Sequence, residues 1–141
     1  MQILIPVQYP LTDVNKRAIQ RGIDLVNGLD DSELLLFHLN EVQKDRRISR
    51  QSLRETVEST FPGINANYVV RDGFFVEEAI IEAAIQLEMD YILLSKSRRE
   101  RWKRLLEAIL DVEQNPEQFI EDNTGIEVEV ITEASSGSTD A

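Results

Sequence analysis

The feature that most constrains the fold is an alternation: short, continuously apolar runs take turns with longer segments whose apolar residues recur at helical spacing. "QILIPVQ" (2–8), "ELLLFHL" (33–39), "NYVV" (67–70) and "YILLS" (91–95) are the short runs, the kind found in strands covered on both faces. Between them, Thr12 to Asn27 sets Ile19, Ile23 and Val26 on one stripe, with Thr12 or Asp13 placed to cap the start and Gly28 to stop it. Leu53, Val57 and Phe61 mark a second helix closed by Pro62-Gly63, and Val76, Ile80, Ala84 and Leu87 a third. Trp102, Leu105, Leu106, Ile109 and Leu110 define a fourth, while Asn115-Pro116 with Gln118 reads as the cap and first turn of a short fifth. "IEVEVIT" (126–132) alternates Ile126, Val128 and Val130 with Glu127 and Glu129, which predicts a last strand with one buried and one wet face. Strands that alternate with helices imply an α/β fold: a parallel sheet, right-handed crossovers, helices on both faces, and ligands beyond the C-terminal strand ends.

The chain of 141 residues fits one domain, 1–132, followed by "EASSGSTDA" (133–141), a tail whose composition predicts disorder. Residues 43–51, with Ile48 as their one large apolar side chain, predict a solvated loop or a projecting first turn. No apolar run approaches the ~20 residues of a membrane span, and "MQILIPVQYP" has no charged leader, so a soluble cytoplasmic protein is expected. Without cysteine there is no thiolate chemistry, and a single His offers no metal centre. The net charge is -11, with Asp72 before Gly73 reading as a turn former and His38 as a strand-end His. An Arg-rich basic set against 26 carboxylates suits a high-salt cytoplasm, though ordinary acidic proteins share that balance.

The order of "ILIPVQ", "LLFHL", "VVRDGFFVEEAIIEAA" and "DYILLSKSR...KRLL" resembles the universal stress protein family over roughly residues 2–131. The resemblance implies a Rossmann-like single-domain sheet of the adenine-nucleotide-alpha-hydrolase kind, with strand order 3-2-1-4-5. It also implies a role in stress response and homodimers that form through the last strand. ATP-binding members have an Asp at the end of strand one, then G-x-x-G and, nine residues on, G-[S/T] after strand four. Glycines there let backbone amides approach phosphates, and the hydroxyl helps to hold the anion. In this chain those positions carry Gln8, Ser95, Arg98, and Ala108 with Ile109. The resemblance therefore implies a degenerate nucleotide motif, no ATP cofactor and no enzymatic activity.

The replaced stretch is also the most basic in the chain, with six cations between Lys96 and Arg104. The other residues hold nine cations against 25 acids, net -16, a field that disfavours nucleic acid. Trp102 alone offers no stacking platform. Ser97 with Glu100 has capping-box spacing, which predicts a helix from Arg98. Two readings of the block stay open. In one, the cations are a solvated face balanced by carboxylates, through Glu100–Arg104 and Lys103–Glu107 pairs or through acids of a second subunit. In the other, Ser95, Ser97, Arg98 and Arg99 join Gln8 as a site for a small anion, with the basic loop from Lys44 to Arg54 emerging at the same edge. Ile126, Val128 and Val130 are the candidate dimer residues.

Overall fold

The computed structural model of the protein describes residues 1–111 and 114–132. The strands are β1 (Gln2–Pro6), β2 (Glu33–Glu41), β3 (Ala66–Gly73), β4 (Tyr91–Ser95) and β5 (Glu127–Ile131). The helices are α1 (Asp13–Val26), α2 (Arg50–Thr60), α3 (Val76–Gln86), α4 (Lys96–Leu110) and α5 (Pro116–Thr124). All strands pair in parallel in the order β3-β2-β1-β4-β5, as the resemblance implies. The expected tail 133–141 and the side chains of Ile109 and Leu110 lie outside the described residues.

Successive strand side chains point to opposite faces, and the sheet therefore divides the interior into two cores. Ile3, Ile5, Leu34, Leu36 and Leu93 meet Ala18 and Ile19 of α1 and Leu53 and Val57 of α2 on one face. Leu4, Leu35, Phe37, Ile92 and Leu94 meet Ile80, Ala83 and Ala84 of α3, Trp102 of α4 and Ile120 of α5 on the other. Trp102 is 1% exposed, so its indole belongs to the core and contributes as a large apolar group, upward of about 2 kcal/mol.

Four local expectations are corrected. β2 and β3 run past their apolar stretches, because Asn40 and Glu41 stay in register with Asp72 and Gly73. Asp72 is thus the end of an edge strand rather than a turn, and its carboxylate sits 3.0 Å from Arg47. α4 begins two residues early: Ser95, the last residue of β4, accepts the Arg98 N–H at 3.2 Å. The strand end already supplies the capping hydroxyl, so the Ser97–Glu100 box does not form, and Arg99 takes the Glu100 carboxylate at 3.0 Å. The face of β5 expected to be wet is partly covered, since α1 crosses it and Arg21 bonds Glu129 at 2.8 Å. Finally, Ile126 precedes the strand, buried against α5 and the α3 core.

Candidate functional site

The loop that leaves β1 is shaped by a residue that the sequence marks only through capping-box spacing with Thr12. Asn15, on the first turn of α1 and 7% exposed, uses Oδ1 to accept the N–H groups of Gln8 at 2.9 Å and Thr12 at 3.2 Å. Thr12 in turn caps α1 by accepting the Asn15 N–H at 3.1 Å. Two backbone donors that would otherwise be orphaned beyond the strand are thereby satisfied, and Gln8 is held with its side chain facing solvent. A second buried amide does the same beyond β2. Asn40 donates to the Ile48 carbonyl at 2.9 Å and accepts its N–H at 3.0 Å, which closes the basic loop. His38 donates Nδ1–H to the Val7 carbonyl at 3.1 Å, a partnered strand-end His as expected.

Between the ends of β1 and β4, at the switch point of strand order, Gln8, Ser95, Ser97 and Arg98 line a crevice of about 80 Å³ with Thr12, Asn15 and Arg101. Four of the five proposed ligand residues therefore meet. Arg99 does not; its guanidinium turns away to Glu117 of α5 and to Glu100, both at 3.0 Å. Burial works against its charge, and the hydrogen bonds to those two carboxylates outweigh this and raise its pKa. A water takes ~30 Å³ of liquid volume, so the crevice accommodates a few waters or one small anion.

Arg98 is the pivotal side chain. Its Nη1 lies 2.7 Å from Glu77 Oε2, with side-chain exposures of 10% and 19%. Burial pulls the guanidinium below its ordinary pKa, and the facing Glu77 carboxylate opposes that shift; the group stays protonated. Glu77 sits on the first turn of α3, distant in sequence and without a motif, so the local sequence around Arg98 does not announce the pair. Among the described residues the expected Glu100–Arg104 and Lys103–Glu107 pairs do not form. Arg98 and Arg99 reach neighbouring helices instead.

A larger cavity of about 380 Å³ opens beside the crevice, across the ends of β1 and β2. Gln8, Tyr9, His38, Asn40, Lys44 and Arg46 contribute to its walls. Most of the basic loop is engaged: Lys44 pairs with Glu41, Arg47 with Asp72 and Arg54 with Glu58, each at 3.0 Å, while Arg50 donates to the Tyr68 carbonyl. Arg46 has no carboxylate partner among the described residues.

At the sheet edge, Glu129 accepts from Tyr91 at 2.5 Å as well as from both Arg21 nitrogens, Nε and Nη2. Burial, helped by the Glu129 hydrogen bond, pushes the Tyr91 phenol up to about 12. Burial of Glu129 is outweighed by those two donors, which hold its carboxyl below the usual range. Val128, Val130 and Ile131 are half-buried along the outermost strand.

No family model matches the chain, and no curated protein matches it. Solved structures do. A universal stress protein from Archaeoglobus fulgidus DSM 4304 superposes with a TM-score of 0.61 at 14% identity over 93% of this chain, which spans 43% of that protein. A universal stress protein family protein from Arabidopsis thaliana, solved with AMP bound, gives 0.57 at 15% identity over 99% of this chain and 97% of its own. A universal stress protein in complex with cAMP gives 0.55 at 12% identity, covering 93% and 95%. The chain therefore has the universal stress protein fold.

Proposed function

We propose that this chain, which carries the fold of the universal stress proteins, is a non-enzymatic regulatory protein of the stress response that does not hold ATP in the manner of nucleotide-binding members. The observation that carries the reading is the Arg98–Glu77 pair, a side-chain ion pair at the edge of the switch-point crevice. A phosphate chain lodged there would meet the Cβ of Ser95, a space of about 80 Å³ and an Arg98 already engaged by Glu77. Neither a nucleophile with a base nor a metal-binding group of acids stands at the crevice among the described residues. Isothermal titration with ATP at fixed salt is expected to give no heat. ATP binding that Arg98→Ala abolishes would overturn the proposal.

A second reading is favoured by the larger cavity. Two proteins of this fold were solved with AMP and with cAMP, and here the cavity beside the crevice presents Arg46 without a carboxylate partner. A small anion or nucleoside monophosphate would then seat its charge against Arg46 and the crevice hydroxyls, with Arg98 as a further cation. Titration with AMP, cAMP and inorganic phosphate tests it, and loss of any signal in Arg46→Ala identifies the cavity. For assembly we propose a homodimer through β5, an edge strand whose outward backbone groups are free for pairing. Proline at Val130 is expected to lower the mass in light scattering if this edge is an interface.

A further inference from the structure

The β3–α3 turn exposes two adjacent aromatic side chains that the fold does not use. Phe74 is 60% and Phe75 is 68% exposed, the most exposed large apolar residues among those described. Their rings lie 6.3 Å apart in a tilted arrangement. The backbone beneath them is fixed: the Gly73 carbonyl accepts the Val42 N–H at 2.9 Å, the Phe74 carbonyl accepts Gln43 Nε2 at 3.2 Å, and the Phe75 carbonyl accepts the Ala79 N–H at 3.0 Å. Two phenyl rings held in water on an anchored turn gain nothing for the monomer, and clustered exposed aromatics of this kind mark contact surfaces.

The surroundings point to the partner. A groove of about 420 Å³ runs from the two rings to Leu105, with Glu77 and Glu78 of α3 on one side and Arg101 and Arg104 of α4 on the other. Glu77 is engaged by Arg98 and Glu41 by Lys44. Glu78, Arg101 and Arg104 have no ion-pair partner among the described residues. The unpaired charges are thus one acid on the α3 flank and two bases on the α4 flank, separated by aromatic surface. A two-fold axis running along the groove sets each flank of one copy against the opposite flank of the other. An acidic peptide would suit the arginines but not Glu78, whereas a second copy satisfies both flanks.

We propose that this face is a self-complementary docking surface on which a second copy of the chain seats, Phe74 and Phe75 against their counterparts and Glu78 against Arg101 or Arg104 of the opposite copy. It is separate from the β5 edge and does not depend on the ligand reading. Sedimentation equilibrium and light scattering across protein concentrations test it. Phe75→Asp is the main variant, because Asp at the N-cap position of α3, where Phe75 supplies no side-chain acceptor, favours the helix while it removes the apolar contact. It is expected to weaken association by about tenfold or more. Glu78→Arg and Arg104→Glu are each expected to weaken it, and the double reversal to restore it to within about threefold, the signature of a cross-copy pair. Val130→Pro is measured alongside, so that loss of the β5 interface reads separately. Unchanged mass in Phe75→Asp overturns the proposal, as does a purely monomeric wild type. Weakening by Arg104→Glu without weakening by Glu78→Arg overturns the cross-copy pairing of the two flanks.

Discussion

Replacing Glu77 by Gln leaves the Arg98 guanidinium where packing excludes water and removes the charge that faces it. At 2.7 Å, with side-chain exposures of 10% and 19%, the pair is closer to a buried than to a surface ion pair. Its gross attraction at an effective dielectric constant near 20 is about 6 kcal/mol, most of it offset by desolvation of both ions. Removal of one partner from such a pair costs about 3–5 kcal/mol, while apolar replacement of both is often near neutral. Because Glu77 retains some exposure, the lower figure applies, and about 0.5 kcal/mol of it reflects a carboxylate in the first turn of α3 interacting with the helix dipole. Glu78→Gln, in the same turn and exposed, isolates that component. Glu77→Gln should therefore cost about 3 kcal/mol and lower Tm by roughly 10 °C. Glu77→Leu and Arg98→Met should each cost as much, and the double variant Glu77→Leu/Arg98→Met should return to within about 1 kcal/mol of wild type. Thermal and urea unfolding followed by circular dichroism completes the cycle. Additive single effects, with a coupling below about 0.5 kcal/mol, would refute the claim that this ion pair is desolvated.

Asn15→Ala orphans two backbone donors, of Gln8 and Thr12, and should destabilise by about 2–3 kcal/mol in urea unfolding; a change under about 0.5 kcal/mol would remove its proposed role. Ser95→Ala deletes the α4 cap and should cost about 1 kcal/mol by the same assay. Tyr91 has a folded-state pKa raised to about 12, so its contribution is fully present below pH ~10 and is lost as pH rises from about 10 to 12. Part-exposure keeps that contribution to about 1 kcal/mol, and Tyr91→Phe should flatten this part of the alkaline stability profile.

The parallel strands and the helix faces were legible because continuous apolar runs and 3.6-residue stripes record burial directly, while the strand order came from the family resemblance. "QILIPVQ" and "YILLS" name their own strands, and Asn115-Pro116 names the start of α5. Less legible was whatever depends on partners distant in sequence. Arg98 and Arg99 look equivalent in "SRRE", yet one turns inward to Glu77 and the other outward to Glu117, since adjacent helical positions differ by about 100° in direction. Asn15 and Asn40 are unremarkable polar letters whose value arises only when a loop closes over them. The Thr12-x-x-Asn15 spacing is a weak local signal for the first; none marks the second. Glu129 looked wet because alternation reports one strand's own two faces and not the helix that later crosses it. The exposed Phe74-Phe75 pair runs opposite to hydrophobicity, which by itself would have placed both rings in the core.

The Arg21–Glu129–Tyr91 contact ties the first helix to the last strand across 108 positions of chain. Until Glu127–Ile131 pairs with it, β4 is an outer strand whose backbone N–H and C=O groups along Tyr91–Ser95 stay unpaired on that side, the type of edge that captures other chains. During translation, or after a proteolytic cut within the α5–β5 region, the protein would thus pass through a form that is nearly complete in secondary structure and prone to aggregate. The acidic residues of β5 then act as a seal on that edge, which puts the decision between a folded molecule and an aggregate in the pairing of Glu127–Ile131 with β4.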